Sequence, residues 1–147
     1  MDPQIARDQI AKAWNAITHS DWEALGSVGH EGSAVRSEGS AWATDRGAIV
    51  DYFRHYAANY HLDMSNYTAI VMGERAAVET RLKLTYHTTK DGFPEARGQS
   101  VIVPVGTFIT FRENLFYRTQ MFLSIEDWMR IFTADPAPQG AGEGAQA

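Results

Sequence analysis

Residues Val101–Ser124 form two long arms rich in Val, Ile, Phe, Thr and Tyr on either side of Arg112-Glu113-Asn114. These residue types fit a pleated surface. Asn114 tolerates the left-handed backbone that a tight hairpin turn needs. In the first arm Val103, Val105, Thr107 and Ile109 share one face, while Ile102, Phe108 and Thr110 share the other beside a gap at Gly106. A strand that is apolar on both sides is covered on both sides. The covers expected here are helices of the same chain on one side and a second copy of the protein on the other.

The rest of the chain supplies those helices. Ile5, Gln9, Ala13 and Ile17 recur at the spacing of one helical face, with Ile10 and Trp14 beside them, so 4–18 reads as a helix after Asp2 and Pro3. Ser20-Asp21 caps a second, shorter helix over 22–28. Short strands are expected at 33–37 and 41–43. A third helix then runs from a cap at Thr44 or Asp45 to about Tyr60, with Ile49, Phe53, Tyr56 and Tyr60 on its apolar face.

From Ser65 the period changes to two. Residues 67–72 read as a strand and Gly73-Glu74 as a turn. Along 76–88, Val78, Thr80, Leu82, Leu84 and Tyr86 alternate with Glu79, Arg81, Lys83, Thr85 and His87. After the hairpin, 125–132 is a short helix or an edge segment. Helices followed by antiparallel strands make the chain α+β. One domain is expected over 1–133, and a disordered tail over 134–147, which holds no large apolar anchor.

A net charge of −5 argues against nucleic acid or an anionic membrane as partner. With no cysteine there is no thiolate chemistry. No basic leader followed by an apolar run is visible, nor an apolar run near the roughly 20 residues that span a bilayer. A cytoplasmic location is the default. His19 and His30 lie in turns with no metal spacing between them, and His61, after the third helix, reads as its C-terminal cap, so no metal is expected.

Three stretches carry a family resemblance: Thr18-His-Ser-Asp-Trp-Glu-Ala-Leu, Asp45-Arg-Gly-Ala-Ile-Val-Asp-Tyr-Phe, and Tyr86-His-Thr-Thr-Lys-Asp-Gly continuing through Pro104 to Ser124. Over about 4–133 the chain resembles the NTF2-like superfamily, specifically its SnoaL-like, ketosteroid-isomerase-like and limonene-epoxide-hydrolase-like enzymes. The resemblance implies a cone of three N-terminal helices packed in a curved, mostly antiparallel sheet with a central cavity. It does not bring a catalytic set with it. The isomerase Tyr and two Asp positions correspond to about Ala13, Thr107, and Ser37 or Arg36. The hydrolase Arg-x-Asp pair corresponds to Arg81-Leu82-Lys83, and its later Asp to about Met121. The Asp that ends the last strand in many cyclases corresponds to Ser124.

The resemblance also implies that Arg81, Lys83, Thr107, Thr119, Met121 and Leu123 face the cavity. By alternation Glu79, His87 and Tyr117 join them, leaving Leu82, Leu84, Tyr86, Phe108, Phe116 and Phe122 outside as a dimer surface. Two readings of the Glu79–Arg81–Lys83 row stay open: a solvated row of ion pairs, or a cavity wall. On the second reading Arg81 and Thr107 stabilise developing negative charge, and Glu38, His87 or Lys83 moves protons. Trp14, Ser37, Tyr52, Tyr56, Tyr117 and the inward residues of the last strands contact the substrate. The expected activity is a cofactor-free cyclisation, isomerisation or dehydration of a small apolar, carbonyl-bearing, polyketide- or terpenoid-like molecule by a homodimer. The alternatives are a non-catalytic binding or dimerisation module, and an epoxide hydrolase. An open pocket of several hundred Å³, the usual size of ligand sites, favours the enzyme. A space plugged by Trp14, Tyr117 and Met121 favours the module.

Overall fold

A computed structural model describes residues 1–37, 43–44 and 47–136; residues 43–44 are described in backbone only. The elements run α1 (Pro3–Thr18), α2 (Trp22–Ser27), β1 (Gly29–Ser37), β2 (Ala43–Thr44), α3 (Ala48–Ala57), β3 (Tyr60–Asp63), β4 (Tyr67–Met72), β5 (Arg75–Tyr86), β6 (Gln99–Arg112), β7 (Leu115–Leu123) and α4 (Ile125–Met129), closed by a 3-10 turn at Arg130–Phe132. The sheet order is β2-β1-β7-β6-β5-β3, with β4 also paired to β5. Among the described strands only β1 and β7 run parallel; every other pair is antiparallel. The sheet curls around one layer of helices, an α+β arrangement.

Local chemistry explains the ends of these elements. The Asp2 carboxylate accepts from the Gln4 amide at 2.8 Å and Pro3 opens the first turn, so α1 is capped as its sequence requires. Asp21 caps α2 through the Ala24 amide at 3.1 Å. The β6–β7 turn is made by Glu113 and Asn114 at φ 53° and 64°, the two left-handed residues of a short hairpin loop. His61, expected to cap the third helix, lies in β3; its Nε2 instead meets the Thr18 carbonyl at the end of α1, at 2.9 Å.

The core fills the hollow of the curl. Ala6, Ile10, Ala13, Trp14 and Ile17 of α1 meet Val78, Leu82 and Leu84 of β5, Val103, Val105, Ile109 and Phe111 of β6, and Phe116 and Met121 of β7, all buried. Trp14 sits near the centre. Its ring lies 6.2 Å from Tyr67 and 6.4 Å from Phe116, and its Nε1–H donates to the buried Thr80 hydroxyl at 2.9 Å. A buried indole donor needs such a partner.

Several expectations are corrected here. Among the described residues there are four α-helices and only α1 is long, so the picture of three N-terminal helices does not hold as drawn. The third helix ends at Ala57 because Tyr60 already belongs to β3, paired with Tyr86. β1 begins at Gly29, four residues before the strand expected at 33–37. Most consequential is the face of β5. Residues opposite one another in an antiparallel ladder share a side, and Val78 pairs with Thr107 while Leu82 pairs with Val103. Thr107 and Val103 are buried, so Val78, Thr80, Leu82, Leu84 and Tyr86 turn inward with them. Glu79, Arg81 and Lys83 therefore turn outward, the reverse of the expected orientation, because one step of register exchanges the two faces of a strand. Phe116 is also inward, at 1% exposure, because a bulge at Thr110/Phe111 shifts the ladder there. On the C-terminal side, Ser100 N–H donates to the Asp135 carbonyl at 3.3 Å and Pro136 bridges Gln99. Residues 137–147, most of the expected tail, lie outside the described residues.

Candidate active site

Where the ends of β1 and β7 meet α3 and α4, the curl opens into a pocket of about 180 Å³. Its floor is Ser37 and Leu123. One wall is Tyr52 and Tyr56 of α3 with Tyr60 of β3. The other is Trp128, Met129 and Phe132 after the last strand, and Lys90 and Phe93 of the β5–β6 loop stand at the rim.

Aromatic rings hold these walls to one another. Tyr52 meets Tyr56 edge-on at 5.4 Å, Tyr56 meets Trp128 at 5.3 Å, and Trp128 meets Tyr60 at 5.2 Å. Phe132 stacks on Phe93 at 5.2 Å and packs on Tyr86 at 5.3 Å. Such pairs add about 0.5–1.5 kcal/mol each beyond area burial. The chain reaches this arrangement through Ser124, which caps α4 by accepting from the Asp127 amide at 3.1 Å. Tyr86 secures the rim loop: its hydroxyl accepts from the Lys90 amide at 2.8 Å and donates to the Pro94 carbonyl at 2.7 Å.

The polar groups in this apolar chamber are few. Burial pushes the Tyr52 hydroxyl up to about 12; a hydrogen bond with Ser37 opposes the rise, and the neighbouring Tyr56 hydroxyl adds to it. Tyr60 is likewise raised, first by burial, against a hydrogen bond from Trp128. Tyr52 is thus a neutral phenol across the physiological range, a donor able to polarise a carbonyl oxygen. Lys90 is the charged residue of the lining, its ammonium 4.9 Å from the Phe93 ring centroid.

The residues singled out in the sequence divide into four groups. Ser37, Tyr52, Tyr56 and Leu123 come together in this pocket. Trp14, Thr107, Thr119 and Met121 are buried in the core beneath it. Thr107 Oγ1 has no hydrogen-bond partner among the described residues, and Met121 lies opposite it in the ladder. Tyr117 is remote, six positions back along β7 from Leu123, held between the guanidiniums of Arg112 and Arg118 at 3.8 and 3.9 Å and set edge-on to His30 at 5.4 Å. It is not a cavity residue.

The fourth group is the charged row on the outer surface. Glu79 and Arg81 are exposed, and Lys83 is half-buried opposite Asp63. Burial alone would raise the Asp63 carboxyl, but the Ser65 hydroxyl and amide donate to it at 2.6 and 3.0 Å, and with the charges of His61 and Lys83 they hold it below the usual carboxylate range. His87 is exposed just beyond β5, its Nδ1 2.7 Å from the Thr88 hydroxyl. Arg81, Lys83, Glu79 and His87 are therefore not brought to the pocket. Glu38 lies outside the described residues.

Tyr60, Lys90, Phe93, Trp128 and Phe132 were missed in the sequence. The one sequence signal for them is the run Trp128-Met-Arg-Ile-Phe after the last strand, more apolar than an exposed end requires. No group of three or more His, Cys, Asp or Glu able to hold a metal occurs among the described residues. No described helix is long and apolar enough to cross a membrane.

No family model matches the chain, and no curated protein matches it in sequence. Solved structures do match. A Xanthomonas campestris pv. campestris protein, provisionally described as a polyketide cyclase, superimposes with a TM-score of 0.82 at 22% identity, over 90% of this chain and 99% of that one. A Silicibacter protein with the same provisional description gives 0.75 at 26% identity, over 91% and 97%. An LEH-like epoxide hydrolase of M. tuberculosis gives 0.72 at 9% identity, over 90% and 92%. Identities of this size carry architecture, and one architecture hosts many chemistries. The fold of this chain is that of the NTF2-like superfamily, the group its sequence resembles.

Proposed function

We propose that the chain is a cofactor-free small-molecule enzyme of the cyclase, isomerase or dehydratase kind, acting on a compact apolar substrate that bears a carbonyl. The observation that carries this reading is the aromatic pocket with Tyr52 in it, a phenol that burial pushes up to about 12 and that Ser37 and Tyr56 orient. The provisional description of two fold neighbours as polyketide cyclases agrees with it in kind. In this mechanism the substrate lies between Tyr52, Tyr56 and Trp128, with its carbonyl on the Tyr52 hydroxyl. That hydrogen bond strengthens as the oxygen gains negative charge, and the rings fix the folded conformation from which a new bond forms. Glu38 follows Ser37 directly in the chain and is retained as the proposed base. Arg81, Lys83 and His87 are withdrawn from catalysis, since they face away from the pocket.

The test is turnover of a panel of small cyclic enones and β-dicarbonyls by the wild type and Tyr52→Phe. Loss of one preorganised donor should lower kcat about 10²–10³-fold, with KM little changed. A variant that turns over a wild-type substrate undiminished would remove Tyr52 from the mechanism.

A binding or dimerisation module is the second reading, favoured by the filling of the deeper interior by Trp14 and Met121 and by a pocket of about 180 Å³, short of the several hundred expected of the enzyme. Binding without turnover across the panel would select it. Epoxide hydrolysis has less support, because Arg81 and Lys83, which stand where that chemistry has its Arg-x-Asp pair, lie on the outer surface. Either activity fits a homodimer formed through the outer sheet. Phe108 is 55% exposed and Ile70 65%, beside an open space over Gly106. Phe108 and Gly106 are two residues apart, so a two-fold axis between them would seat each Phe108 ring in the other copy's hollow.

A further inference from the structure

Lys90 is the one charged side chain among the described residues that line the aromatic pocket. The β5–β6 loop is not a loose strap at this point. The Lys90 amide is fixed by the Tyr86 hydroxyl at 2.8 Å, and the Lys90 carbonyl accepts from the Phe93 amide at 3.0 Å. Tyr86 itself is fully buried. These bonds fix the backbone at Lys90; its side chain lays the ammonium 4.9 Å from the Phe93 ring, the residue is half-buried, and no described carboxylate bonds it. An ammonium beside apolar rings has lost part of its hydration and gains from an anionic partner more than an exposed one does. At the other end of the chamber, Tyr52 and Ser37 supply neutral hydroxyls.

Shape limits the occupant as firmly as charge. The space is about 180 Å³, below the roughly 300–1,000 Å³ of drug-sized ligand sites. Its walls are flat rings, which favour a flat partner.

We infer that this pocket selects a small planar anion of one or two fused rings, whose carboxylate or acidic enol oxygen is taken by Lys90 at the rim while its ring lies against Tyr56 and Trp128. The inference rests on the reading of this pocket as the ligand site, but concerns recognition and not turnover. An aromatic box can also hold a quaternary ammonium; the Lys90 ammonium beside it opposes that occupant here.

The experiment uses three probes of equal shape: 2-naphthoate, 2-naphthamide and trimethyl(2-naphthyl)ammonium. Binding to the full chain is read by tryptophan fluorescence at low salt, and the signal is assigned to the pocket by its loss in Trp128→Phe. A charge-assisted contact should make the naphthoate bind at least about tenfold more tightly than the amide. Lys90→Gln should bring the naphthoate to the level of the amide, and Lys90→Arg should keep most of the preference. Far-UV circular dichroism on each variant separates lost recognition from lost folding. Equal binding of naphthoate and amide, or an unchanged preference in folded Lys90→Gln, would overturn the inference. So would tightest binding of the ammonium probe, or no binding by any of the three. Each of these results leaves the Tyr52→Phe turnover test standing, so the two readings fail separately.

Discussion

Trp14 and Thr80 share a hydrogen bond in the buried interior. The indole Nε1–H and the threonine Oγ1 are 2.9 Å apart, and the two residues are 2% and 0% exposed. Replacing Trp14 by Phe removes the donor and part of a ring. The lost hydrogen bond and the stranded hydroxyl cost about 1–3 kcal/mol, and the smaller ring leaves a void worth about another 1–2 kcal/mol. The expected loss is therefore about 3 kcal/mol. Thr80→Val keeps the shape but strands the indole N–H, for about 1–2 kcal/mol. Removing both partners together leaves only the packing defect, so the double variant should lose about 2 kcal/mol, well short of the sum. A coupling of about 2–3 kcal/mol follows. Urea denaturation followed by far-UV circular dichroism measures all three variants without depending on indole emission. In thermal melts each kcal/mol should appear as roughly 2–4 °C at this chain length. Additive losses would refute the argument: an indole that exchanges its bond with water loses nothing extra when Thr80 changes. The interior around Trp14 would then be wet.

Two further outcomes follow from the same geometry. Because the Tyr52 hydroxyl is raised to about 12 from its ordinary 10.0, the folded state holds its proton more tightly than the unfolded chain. The resulting stability is complete below pH 10 and is lost as pH rises towards 12. Between pH 9 and pH 11.5 the wild type should lose about 1–2 kcal/mol more than Tyr52→Phe in urea denaturation; equal losses would place the hydroxyl in solvent. Phe108→Glu sets a charge in the middle of the outer apolar surface and should convert a dimer to monomer in sedimentation velocity, with its melting temperature shifted only as dissociation requires. A wild-type protein that is monomeric at 100 µM would remove the two-fold arrangement.

Much of the architecture can be read in the residues themselves. Asp2 and Asp21 mark the starts of α1 and α2, Glu113-Asn114 marks the hairpin turn, and the alternation along β5 and β6 sorts each strand into two sides. These are local properties, set by side-chain capping chemistry and by the period of the backbone, and they need no partner. Alternation does not say which side of β5 is inside. Its apolar row and its charged row are both compatible with a wall of some cavity until a neighbouring strand fixes the register, and the pairing of Val78 with Thr107 sends Arg81 and Lys83 outward. The bulge at Thr110/Phe111 likewise turns Phe116 into the core against the strict period. The pocket is still less local: Ser37, Tyr52, Lys90 and Trp128 come from four separate segments and meet only when the sheet has curled and α4 has folded back over its end. Most of the elements and the helix-and-sheet class follow from contacts within a few residues, whereas β3, the end of α3 and the early start of β1 depend on pairing with distant strands. Which charges face water and which rings enclose the pocket depend instead on the register and closure of strands far apart in the chain.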